Sequence, residues 1–210
     1  MARTRSPGEH LVSTPVPGMK GPTVKQAIAA LCAQCGICCD GTLFKDVQLR
    51  ESDDPERLEA LGLPVVRPRV RVGSVKGTQG GGQSPAKFPQ PCAALAGCKC
   101  RIYRERPAHC REFECGLLMA CVAGRVTVPK AQEIIGRTLG KADAVRGLLE
   151  QLGNVEGRGG LGHRFRGVCR RLERDGASGR DGARFGRLTR GMHALNLMLG
   201  DYFYPGYRYD

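Results

Sequence analysis

The chain has 210 residues, 41% of them hydrophobic but only 5% aromatic, with thirty glycines, thirteen prolines and no tryptophan. That length fits one domain, or one domain with a helical extension, and the glycine and proline content assigns much of it to loops. The net charge of +13 comes from 25 arginines and 8 lysines spread among acids. No block of five or more like charges marks a nucleic-acid-binding tail, and no apolar run approaches the roughly 20 residues of a membrane-spanning helix.

Residues 1–22 read as a flexible leader: a basic opening with no apolar stretch behind it, broken by prolines at 7, 15, 17 and 22. The cytoplasm is therefore the expected compartment. Thr23 is placed to cap a short helix over Val24–Leu31, where Val24, Ala27, Ile28 and Leu31 recur at helical spacing. Past Gly41, residues 42–49 predict a strand. Asp54 and Pro55 open a short helix through Leu61, and 65–75 alternates valine with arginine as an edge strand.

The glycine-rich stretch 77–85 lacks the Gly-Lys-Ser/Thr ending of a phosphate loop and reads as a linker. Pro107 predicts a helix running to about Val122, with Cys110, Phe113, Leu117 and Cys121 near one stripe. Thr127 predicts a cap for a helix over 129–152. Two more helices are expected, near 165–174 and 184–199, before the aromatic tail at 202–205.

The eleven cysteines dominate the chemistry. Cys32, Cys35, Cys38 and Cys39 form a Cys-x2-Cys-x2-Cys-Cys run, Cys92, Cys98, Cys100, Cys110, Cys115 and Cys121 follow, and Cys169 stands apart. Two-residue spacing turns sulfurs toward one centre, as zinc and iron–sulfur clusters require. An odd count, no secretory signal and an adjacent pair argue against a disulfide framework. In extended backbone, neighbouring side chains diverge, so Cys38 and Cys39 are not expected to ligate one tetrahedral ion together: either they serve neighbouring sites, or one ligates and the other sits behind it.

The downstream array must complete the coordination. Cys92 and Cys100 lie in predicted loops, and Cys110 lies near a helix start that would favour a thiolate. Arg106 and Arg111 flank Cys110 and would offset anionic sulfur, with Arg106 orienting the loop through backbone carbonyls. Tyr103 and Phe113 would wall the site. Cys98 and Cys115 are further candidate ligands. Cys121 and Cys169 read as small core residues, and His109 as a partly exposed histidine.

The first cysteine run, Pro91-Cys92-Ala93-Ala94-Leu95, and Cys100-Arg101-Ile102-Tyr103-Arg104-Glu105-Arg106-Pro107-Ala108-His109-Cys110-Arg111-Glu112-Phe113 together resemble the YkgJ-type cysteine-cluster family. This is the CxxCxxCC domain described as zinc- or iron-chelating. The resemblance spans about Val24 to Cys121. It implies metal ligation by Cys32, Cys35, Cys38, Cys39, Cys92, Cys100 and Cys110, and it implies no particular reaction. One relative, flagellin lysine methylase, carries a related cysteine set with an iron–sulfur cluster.

These readings give an α+β expectation: a leader over 1–22, a small cysteine-rich metal-binding domain with short strands over 23–125, and a helical extension over 126–210. The expected cofactor is zinc or iron, with an iron–sulfur cluster favoured by the crowded thiols. A protein partner is left open and no membrane is expected. Two alternatives stand beside chelation: a cluster-dependent protein-modifying enzyme such as a lysine N-methylase, and a zinc-ribbon-like nucleic-acid binder drawing on the arginine surplus.

Overall fold

The computed structural model describes residues 21–67, 85–154, 159–176 and 179–204. Residues 1–20 of the expected leader, most of the 77–85 linker and residues 68–75 of the expected strand lie outside them.

Helix and strand are mixed, in line with an α+β architecture. In chain order the elements are α1 (Val24–Cys35), β1 (Asp46–Gln48), α2 (Pro55–Ala60), β2 (Lys87–Pro89), β3 (Leu95–Ala96) and β4 (Lys99–Cys100). A 3₁₀ turn (Tyr103–Glu105) follows, then α3 (Ala108–Glu112), α4 (Gly116–Val122), α5 (Val128–Gln151), α6 (Leu161–Asp175) and α7 (Gly179–Tyr202). Two antiparallel pairs make up the sheet content, β1 with β2 in the register Val47↔Phe88, and β3 with β4 in the register Leu95↔Cys100.

Several elements start where local chemistry places them. Thr23 closes a capping box with Gln26, Asp54 accepts from the Arg57 amide ahead of Pro55, and Thr127 accepts from the Lys130 amide. Other expectations are corrected. The strand predicted over 42–49 shrinks to Asp46–Gln48, because 41–45 turns instead. Of the 65–75 strand, the described part contributes one bridge, Val66 to Lys87.

The helix predicted from 107 to 122 is two helices. Phe113 leaves the α region at ψ 117°, and Cys115 then caps α4 by accepting from the Leu118 amide through its sulfur at 3.4 Å. Each of the last two helices runs longer than its periodicity predicts.

Two hydrophobic cores result. The larger joins α1 and α4 to α5, α6 and α7 through residues such as Leu31, Leu117, Leu149, Leu188 and Leu195. Each such leucine, fully buried, contributes about 1.5–3 kcal/mol through loss of water contact. The smaller core holds Val47, Leu49, Leu58, Leu63, Phe88 and Ala94 under the first sheet. Cys35, Cys38 and Cys115 pack against the larger core, whereas Cys92, Cys100 and Cys110 pack against the smaller. These six cysteines therefore lie along the junction of the two. Among the described residues no helix is long and apolar enough to cross a membrane.

Candidate metal centre

The first array begins on a helix rather than in a loop. Cys32 and Cys35 occupy the last turn of α1, three residues apart and so on one face. Gly36 ends the helix at φ 69°, a left-handed conformation that costs a glycine little. A second tight turn follows, with the amides of Cys39 and Asp40 both donating to the Gly36 carbonyl at 2.8 and 3.0 Å. Ile37, fully buried, fixes this turn to the larger core.

The turn corrects the expectation that Cys38 and Cys39 diverge. Their backbone is folded rather than extended, and the two sulfurs stand 3.6 Å apart. Asp40, next in sequence, is held from two sides: its carboxylate accepts from the Thr42 amide at 2.8 Å and pairs with Arg146 of α5 at 2.7 Å. Arg146 also donates to the Thr42 hydroxyl at 2.8 Å, so α5 grips the loop directly after Cys39.

Three separate segments bring in the second array. The Cys92 amide donates to the Cys39 carbonyl at 2.7 Å. Cys100 ends the β3–β4 hairpin, whose two-residue turn is Gly97-Cys98. That turn sits on the end of α1, where a Cβ added to Gly36 would stand 3.4 Å from the Cys98 Cα. Cys110 lies on α3, whose first amide, Ala108, donates to Asp53 at 2.7 Å.

The thiols fall into two electrostatic neighbourhoods. Burial pushes the Cys110 thiol up to about 12, and the nearby Cys39, Cys92 and Cys100 push it in the same direction. Cys92 is raised by burial, then by Cys39 and Cys100, and Cys100 by burial, then by Cys39. Cys39 is raised by its contact with Cys38 and then by burial. On the other side, burial pushes Cys35 up to about 12 and Cys32 up to about 11, and each also feels Cys115. Cys115 itself is raised by burial.

Cys39, Cys92, Cys100 and Cys110 thus make one set, and Cys32, Cys35 and Cys115 another. Cys39 links the two, since it also raises Cys32, and the Cys38 sulfur lies beside that of Cys39. Near the start of α3, burial and the neighbouring thiols raise Cys110, and Arg106 acts in the opposite direction.

Arg106 is the cation common to these thiols, lowering Cys32, Cys39, Cys100 and Cys110 against the other effects. It donates to the carbonyls of Tyr103 and Cys110 at 3.0 and 3.2 Å and stacks over the Tyr103 ring at 3.8 Å. Arg111 donates back to the Arg106 carbonyl at 2.6 Å. Tyr103 is half exposed and supports Arg106 rather than walling the sulfurs. Phe113 packs edge-on against Phe44 at 4.9 Å and parallel to His109. The His109 Nε2 is buried without a hydrogen-bond partner among the described residues.

Cys121 is fully buried in the larger core. Cys169, expected there as well, is only partly buried on α6, because its helix turns other side chains inward. All eleven thiols are free. The anchors Asp53 and Arg146 escape sequence reasoning, since each acts on a residue far away in the chain.

Among the described residues no three Cys, His, Asp or Glu side chains stand so that they could hold a metal ion without moving. The donor chemistry fits a soft metal: sulfur from several segments, with an arginine to offset negative charge. Closing a set around an ion needs side-chain rotation, and a single χ1 step moves a cysteine sulfur by about 3 Å. Comparison with protein-family models, with curated proteins and with solved structures finds no match.

Proposed function

We propose that this protein chelates zinc or iron through its clustered thiolates. The carrying observation is that Cys39, Cys92, Cys100 and Cys110, delivered by four separate segments, act electrostatically on one another at the junction of two cores. Four thiolates are the donor number of a closed zinc site and of an iron–sulfur cluster alike. Cys32, Cys35 and Cys115 form a second group, joined to the first through Cys39, which also raises Cys32.

So many neighbouring thiols exceed what one tetrahedral ion uses, which favours a polynuclear iron–sulfur centre over a lone zinc. The bound group would tie the two cores together, and an iron–sulfur cluster would add electron transfer. The resemblance to YkgJ-type proteins and the cytoplasmic assignment belong to this same reading.

Anaerobic purification followed by an absorption spectrum with iron, zinc and acid-labile sulfide analysis tests it. Visible charge-transfer bands with iron and sulfide support the cluster. A colourless protein holding zinc supports a structural ion. A protein free of both metals defeats the proposal.

A further inference from the structure

On the far side of the cysteine loop, residues 41–45, the start of α6 and the middle of α7 enclose a cleft of about 380 Å³. That volume lies within the roughly 300–1,000 Å³ of small-molecule sites. Its floor is rigid. The Leu161 amide donates to the Gly41 carbonyl at 2.8 Å, and a Cβ added to Gly160 would stand 2.7 Å from the Phe44 carbonyl oxygen.

The cleft has an uneven chemistry. Phe44, Phe165 and Met192 give it an apolar side, and Lys45, Arg166 and the His163 imidazole give it a basic one. No Asp or Glu lines it among the described residues. Among the described residues the two cations lack strong partners of their own. Arg166 makes no hydrogen bond or ion pair with the described residues, and its guanidinium folds back toward Gly162 at the head of α6. Lys45 comes no closer than 3.9 Å to Asp46, whose carboxylate is taken by Lys87 at 2.8 Å. The helix start itself has little left to give, because the amides of Leu161, His163 and Arg164 are already bonded.

We infer that this cleft binds a small organic phosphate, its anionic head between Lys45 and Arg166 and its apolar body against Phe44 and Phe165. A guanidinium fork with a flexible ammonium suits a group with several anionic oxygens. The apolar side then separates an organic phosphate from the bare ion. The assignment does not rest on metal binding by the thiols.

Calorimetric titration of the full chain at low salt tests it, with phenyl phosphate as probe and inorganic phosphate and phenol as comparisons. Phenyl phosphate is expected to bind at least about tenfold tighter than either, a difference of about 1.4 kcal/mol. Lys45→Met with Arg166→Met should abolish that advantage, while Arg137→Met on α5 leaves it unchanged. Both cleft side chains reach solvent, and an unchanged far-UV circular dichroism spectrum confirms that the double variant folds. The inference is overturned if phenyl phosphate binds no tighter than phosphate or phenol. Equal weakening by Arg137→Met would overturn it too, since the attraction would then be that of net charge alone.

Discussion

The Cys92 amide donates to the Cys39 carbonyl at 2.7 Å, joining the two cysteine arrays by their backbones. One hydrogen bond thus positions a thiol of the first array next to one of the second. The sulfurs are brought together by main chain and by packing, before any metal is considered.

Metal uptake should release protons. The Cys35 and Cys110 thiols are pushed up to about 12 by burial, and Cys92 and Cys100 are raised as well. All are therefore protonated near neutrality and must lose a proton to ligate. Zinc affinity, measured by chelator competition, should rise steeply from about pH 6 to about pH 8. A flat profile would mean that the thiols do not ligate.

Arg146→Met removes the pair with Asp40 and the bond to Thr42, both partly buried. The loss should be about 1.5–3 kcal/mol in urea denaturation, because a charged hydrogen bond is broken and Asp40 is left without its cation. Since that carboxylate directly follows Cys39, metal retention should fall in parallel. A variant with wild-type stability would show that the grip of α5 on the loop is energetically empty.

Two glycines should respond in opposite directions to alanine. At Gly160 the new methyl would meet main-chain atoms at 2.7 and 3.0 Å that have no room to yield, costing about 1–3 kcal/mol. At Gly136, exposed in α5 with nothing within 4 Å, alanine should stabilise by about 0.5–1 kcal/mol through helix propensity. Thermal unfolding of the two variants measures both.

His109 should make the fold acid-sensitive. Burial, and then Arg50, hold its imidazole below the usual histidine range. In the unfolded chain it takes up a proton near its ordinary pKa of about 6.5, whereas the folded protein resists protonation until lower pH. Its stability contribution is therefore full above that value and is lost as pH falls through it. His109→Phe, which keeps the ring contacts with Phe44 and Phe113, should flatten the loss of stability between about pH 7 and about pH 5. An acid limb identical to wild type would assign the sensitivity elsewhere.

What sequence reveals here follows the range of each interaction. The caps at Thr23, Asp54 and Thr127 depend on residues three or four positions away, and they are visible in the chain. The break between α3 and α4 is not, because it depends on Cys115 acting as a cap instead of continuing a hydrophobic stripe. The approach of Cys38 to Cys39 is hidden for a similar reason: it requires the turn that Gly36 initiates. Asp40 with Arg146, and Asp53 with Ala108, join distant parts of the chain and leave no local pattern. Spacing and resemblance named candidate thiols, but only the fold divides them into two sets and places Cys115 with Cys32 and Cys35.

Chelation by the clustered thiols is tested most directly by the metal content of single serine variants, purified without oxygen beside the wild type. Wild-type protein should carry a stoichiometric load of zinc or iron. Cys39→Ser and Cys110→Ser should each lose it, and Cys169→Ser, on α6 and under the influence of no other thiol, should keep it. Full metal content in Cys39→Ser and Cys110→Ser, or a wild type without metal, would contradict the account.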